Sequence, residues 1–143
     1  MFRCLYCQNP DAIPLEEGKE MSAEEILQLA ERQREYFGEK GGITFSGGEP
    51  LLQAKELAPV LKLLQENGFH TCIDTNGYLL TEEVKECLNS TNHVLPDLKQ
   101  ANEEEHKKLT GLSNENSLNF VRYLDELKKD YWIRYVVVPG YTD

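Results

Sequence analysis

The 143-residue sequence has no apolar run approaching the roughly 20 residues needed to span a bilayer, so no membrane crossing is expected. It is also poor in positive charge: 15 lysines and arginines stand against 25 aspartates and glutamates, giving a formal net charge of -10. Such a chain repels phosphate backbones and anionic lipid, which excludes nucleic acid and membrane surfaces as expected partners. The first residues, MFRCLYCQNP, lack the charged flank and apolar run of a secretory leader, so a cytoplasmic protein is expected. Disulfides are rare in that compartment. The four cysteines, Cys4, Cys7, Cys72 and Cys87, are therefore read as thiols, metal ligands or small buried hydrophobes.

No low-complexity linker interrupts the chain, and its length suits one domain with its own core. Ser22 and Glu25 form a Ser-x-x-Glu capping box ahead of Ile26, Leu29, Ala30 and Phe37 at helical spacing, which predicts a helix. Ile43 to Phe45, bounded by glycines, reads as a buried strand. Ala54 to Asn67 carries Leu57, Leu61 and Leu64 on one helical face and ends at Gly68, with Pro59 expected in its first turn or at a kink. FHTCIDTNG reads as a strand, Thr81 to Leu88 as a short helix and HVLPDLKQ as a strand. A helix from Ser117 to Lys129 follows, and YWIRYVVVPG is the strongest strand signal of all. Pro96 has no N–H for a sheet ladder, so a lost hydrogen bond and a displaced Asp97 are expected there.

Helix and strand alternating in this way predict a parallel sheet of βαβ units with helices outside it. No strand precedes the cysteines and the chain stops just past its last strand, so it is expected to be part of a larger α/β domain.

In parallel α/β folds the ligand lies at the carboxyl ends of the strands. Four successive strand ends carry SGGEP, DTNG, DLK and PG, clusters that each suit a turn but in repetition suggest a shared site. Gly47 and Gly48 offer a backbone that a ligand can approach, and Glu49 a carboxylate for an ammonium group. Asp74, Asp97 and Lys99 could bind a zwitterion or a hard cation, or form a surface salt bridge. The Cys4-x-x-Cys7 pair is compatible with a redox dithiol, half of a zinc site or part of an iron-sulfur site. His70, His93 and His106 are scattered and read as structural or solvated, while Cys72 and Cys87 read as packing residues.

Taken together, CLYCQNP, TFSGGEPLLQ, HTCIDTNG, DLKQ and WIRYVVVPG resemble the pyruvate formate-lyase activating enzymes. These are radical S-adenosylmethionine proteins that activate glycyl radical enzymes. The resemblance spans essentially the whole chain and keeps the order of the motifs. It implies a partial (β/α)6 barrel of about four parallel strands, a single domain truncated at both ends. It also implies a 4Fe-4S cluster bound by Cys-x3-Cys-x2-Cys, in which Cys4 and Cys7 match the second and third ligands. The first would stand four residues before Cys4, ahead of Met1, so the isolated chain is expected to be inactive. The coding sequence upstream of Met1 would test this.

By the same resemblance Tyr6, Cys7 and Gln8 would line S-adenosylmethionine near the cluster, and Gly47, Gly48 and Glu49 would contact its amino group. Asp97, Leu98 and Lys99 would contact it from the third strand end, and Asp74, Thr75, Leu95 and Asp97 would hold a monovalent cation. The implied partners are a glycyl radical enzyme, with pyruvate formate-lyase leading, and a reductant such as flavodoxin or ferredoxin. A rival reading is a non-catalytic module whose Cys-x-x-Cys binds zinc or acts as a redox or protein-binding pair.

Overall fold

The computed structural model describes residues 2–12, 18–39 and 41–143. Four strands, β1 (Gly42–Phe45), β2 (His70–Thr75), β3 (His93–Pro96) and β4 (Asp130–Tyr131), form one parallel sheet in sequential order. The helices are α1 (Ala23–Phe37), α2 (Ala54–Glu66), α3 (Glu82–Asn89), α4 (Glu103–Thr110) and α5 (Glu115–Glu126). Parallel neighbours require a crossover, and α2, α3 and the α4–α5 pair supply the three crossovers. None of these helices is long and apolar enough to cross a membrane.

At α1 local chemistry starts the helix as the sequence predicts. Ser22 Oγ accepts from Glu25 N–H at 3.1 Å and Glu25 Oε2 accepts from Ser22 N–H at 2.8 Å, a reciprocal cap on α1. Ser22→Ala is expected to cost about 1 kcal/mol, a fall of about 3 °C in thermal unfolding. The main core lies between the sheet and the helices on one side of it: Leu57, Leu61 and Leu64 of α2, Val84 and Leu88 of α3, and Phe120 and Leu124 of α5 surround Ile73 and Val94. Side chains alternate along a strand, so Cys72 and Asp74 point to the opposite face, away from Ile73.

Four details depart from the sequence reading. Pro59 lies inside α2 rather than in its first turn, on the exposed side of a helix assigned without a break. The helix α4 was not foreseen because its inward residues are His106, Leu109 and Thr110, which make no apolar stripe. Its Asn102 cap and Gly111 stop were the available signals. The strongest strand signal yields the shortest strand, Asp130–Tyr131, with one further pairing of Arg134 to Asp97. Among the described residues β4 has one neighbour, and Trp132 and Val137 remain 72% and 66% exposed, so the apolar run has too little to pair with or pack on.

Pro96, finally, does not dislodge Asp97. Its carbonyl accepts from Arg134 N–H at 2.9 Å, so its own nitrogen faces β4, because N and C=O of one strand residue point to the same neighbour. The missing donor is thus lost on the β4 side. Toward β2, Asp97 N–H still donates to Thr75 C=O at 2.8 Å.

Candidate functional site

The strand ends converge on a cleft of about 350 Å³, within the range of ligand pockets. Cys4, Tyr6, Cys7 and Gln8 line it from the amino-terminal segment, Gly47 and Gly48 from the end of β1, and Asp74 and Thr75 from β2. Asp97 and Lys99 follow from β3, and Arg134 from beyond β4. Leu95, Leu98 and Glu49 do not reach this cleft.

Cys4 and Cys7 flank a tight turn closed by Cys7 N–H donating to Cys4 C=O at 3.2 Å. Cys7 is exposed and Cys4 half-buried. Burial pushes the Cys4 thiol above its ordinary value while the nearby Lys99 charge pulls it down. Among the described residues no three His, Cys, Asp or Glu side chains converge closely enough to hold a metal ion. A structural zinc site takes four protein ligands, and the two cysteines supply half of them.

The glycines are needed for different reasons. Gly47 has φ +126°, a conformation that other residues rarely adopt, with nothing within 4 Å of where a Cβ would stand. Gly48 permits contact within the chain: a Cβ there would stand 2.5 Å from Ala12 C=O. Glu49, read from sequence as a free acceptor for ammonium, is 7% exposed and already committed. Its Oε1 accepts from Thr75 Oγ1 at 2.6 Å and Leu51 N–H at 3.1 Å, and its Oε2 from Asn76 N–H at 2.9 Å. It ties the β1–α2 connection to the end of β2. Burial pushes its carboxyl above the ordinary glutamate value, against the pull of these three donors.

Two pairs of opposite charge stand in the cleft. Lys99 Nζ donates to Asp97 Oδ2 at 2.7 Å, and the Arg134 guanidinium donates to Asp74 Oδ2, which also accepts from Ser46 Oγ at 3.2 Å. Of the residues expected around a monovalent cation, three reach the cleft. Asp74, Thr75 and Asp97 line the cleft, Leu95 only pairs in register with Asp74, and Arg134 is the cation that meets Asp74. Sequence reasoning missed Arg134, which lies within a run read only as strand; a lone basic residue in an apolar β run was the signal for it.

Four buried side-chain polar atoms, Tyr6 Oη, Asp97 Oδ1, His93 Nε2 and His106 Nε2, have no partner among the described residues, and the first two belong to residues that line the cleft. Buried polar groups are ordinarily satisfied, so these two fit a polar ligand. Burial, with Asp97 and Cys4 nearby, pushes the Tyr6 phenol up to about 12. An alkaline absorbance titration is expected to show one tyrosine ionising near that value, a step that Tyr6→Phe removes. The linked stability is present below the ordinary tyrosine pKa of about 10 and lost as pH rises through the folded value.

Residues 1–143 match the model of the Radical SAM superfamily. The chain is 40% identical, over all of its length, to the pyruvate formate-lyase 1-activating enzyme of Escherichia coli K12, and spans 59% of that relative. A crystallised domain of a pyruvate-formate lyase-activating enzyme from Bacteroides vulgatus superposes with TM-score 0.64 at 33% identity, covering 70% of this chain and 62% of that one. The Streptococcus suis protein SuiB, bound to precursor peptide SuiA, shares the fold alone: TM-score 0.73 at 18% identity, over 92% of this chain and 29% of that one. With its parallel half-barrel and its cysteine loop beside the strand-end cleft, the chain belongs to the radical SAM superfamily.

Proposed function

We propose that the protein carrying this chain activates a glycyl radical enzyme, with pyruvate formate-lyase as the leading partner. The observation that carries the reading is the cleft itself, where Cys4 and Cys7 stand beside two opposite-charge pairs and two unpartnered buried oxygens. Cys4 and Cys7 are two of three thiolates for a 4Fe-4S cluster, the third coming from a cysteine four residues before Cys4 in a longer chain. S-adenosylmethionine is the ligand whose ammonium, carboxylate and sulfonium charges suit this lining. Bound by these thiolates and reduced by a flavodoxin or ferredoxin in the cytoplasm, such a cluster would supply the electron for splitting S-adenosylmethionine, and so the radical that would take hydrogen from the partner's glycine.

The chain's own residues bind and orient. Lys99 and Arg134 supply positive charge that would attract the methionyl carboxylate, and Arg134 would compete with a monovalent cation for Asp74. Tyr6, Cys7 and Gln8 line the cofactor, Gly47 gives its amino group a backbone approach, and Asp97 Oδ1 and Tyr6 Oη take up its polar groups. Gly48 lines the cleft beside Gly47, while Glu49 and Leu98 lie behind this surface.

The test compares the chain as it stands with one extended to place a cysteine four residues before Cys4, both reconstituted anaerobically with iron and sulfide. The extended protein is expected to take up about four irons and, on reduction, to release 5'-deoxyadenosine and methionine, whereas the unextended chain does neither. Retention of zinc without iron in both would overturn the proposal in favour of a Cys-x-x-Cys binding module.

A further inference from the structure

We propose that His106 is a positioning residue for Cys4: it fastens the carboxyl-terminal turn of α4, whose free carbonyls hold the cysteine segment. A helix leaves its last carbonyls without intrahelical donors. Here two of them are met by the amino-terminal segment. Leu5 N–H donates to Leu109 C=O at 3.1 Å and Arg3 N–H donates to Thr110 C=O at 3.0 Å, so the two bonds bracket Cys4. Phe2, 7% exposed, seats the start of that segment edge-on against the His106 ring at a centroid distance of 5.1 Å.

His106 does not line the cleft and is 1% exposed. Its Nδ1 lies 2.7 Å from the carbonyl of Leu112, beyond the left-handed Gly111 that ends α4. Burial holds the imidazole toward its neutral form, in which an Nδ1–H donates to that carbonyl. Thr110 Oγ1 adds a bond to His106 C=O at 2.9 Å and stands 3.1 Å from the same ring nitrogen. The side chain thus ties the residue past the helix end back onto the last turn. That fixes the direction of the Leu109 and Thr110 carbonyls and, through them, the backbone on both sides of Cys4.

The part played by Cys4 as a cluster ligand rests on the proposed function, while the clamp can be measured without it. In His106→Leu, amide exchange of residues 3 to 5 is expected to speed by about tenfold, with Ile73 and Val94 unchanged. Alkylation of Cys4 by iodoacetamide should quicken relative to Cys7. His106→Asn, whose side-chain amide can donate as Nδ1–H does, is expected to restore both rates. Should the leucine variant not fold, His106→Phe, which keeps an aromatic ring against Phe2 but has no donor for Leu112 C=O, carries the same expectation. Unchanged exchange and alkylation in a folded variant, or an asparagine variant that behaves as leucine does, would overturn the clamp. In the cysteine-extended protein, iron occupancy should fall in His106→Leu and return in His106→Asn. Loosened exchange with undiminished iron would overturn the positioning role. If the unsubstituted extended protein takes up no iron, the proposed function fails and the exchange result still stands.

Discussion

Cys7→Ala in the cysteine-extended protein is expected to abolish iron uptake while leaving the fold intact. Changes to residues that merely support metal ligands commonly cost ~10–100-fold in affinity, and loss of a ligand exceeds that. The thiol of Cys7 is exposed, so removing it forfeits little packing. Thermal unfolding should stay within about 0.5 kcal/mol of the parent, with iron content and the visible absorbance of the cluster lost together. Cys4→Ala should have the same effect on iron with a small added cost, because Cys4 is half-buried.

The other two cysteines reverse the pattern. Cys87 is fully buried, its Sγ donates to Ala54 C=O at 3.0 Å, and burial pushes its thiol to about 11. Cys87→Ala should lower stability by about 1 kcal/mol for the lost bond and leave iron loading alone. Cys72 is buried on β2 and should likewise be dispensable for iron. Iron lost on replacing Cys72 or Cys87, or retained on replacing Cys7, would sink the assignment of ligands.

The sequence made the alternating architecture legible because α1, α2 and α3 carry caps and apolar faces that depend only on neighbours in the chain. The misses have a common physical source in non-local surroundings. The segment Tyr131–Gly140 has the composition of a buried strand, yet pairing depends on a neighbour that composition does not reveal. Helix α4 buries a histidine and a threonine, polar residues whose inward orientation depends on Phe2 and the loop at Leu112. At the site, the strand-end rule found Asp74, Asp97, Lys99 and both glycines. It did not tell which carboxylates face outward into the cleft and which are spent within the chain. Asp97, with a free oxygen in the cleft, and Glu49, held by three donors, are the two sides of that difference.

Glu49→Ala is accordingly expected to act first on stability. Three donors, Thr75 Oγ1, Leu51 N–H and Asn76 N–H, converge on this buried carboxylate. Each buried donor left unmade costs about 1–3 kcal/mol. The threonine hydroxyl can turn to another acceptor, but the two backbone N–H groups are fixed, so about 3 kcal/mol is expected in all, a fall of roughly 6–12 °C. Glu49→Gln should cost less, since its carbonyl oxygen keeps two donors while its NH2 faces the third. The pH dependence carries a second signature. A carboxyl whose folded pKa is raised contributes stability that is fully present below the unfolded value and lost as pH rises through the folded one. The parent should therefore lose stability across that acidic interval relative to Glu49→Gln, which has no proton to lose there. Thermal unfolding from about pH 4 upward, the ordinary glutamate range, reads the difference. Were Glu49 instead a direct partner of a ligand's ammonium, glutamine would weaken ligand binding with the melting temperature and its pH profile unmoved. The three donors around its carboxylate require the opposite order, with stability falling before affinity.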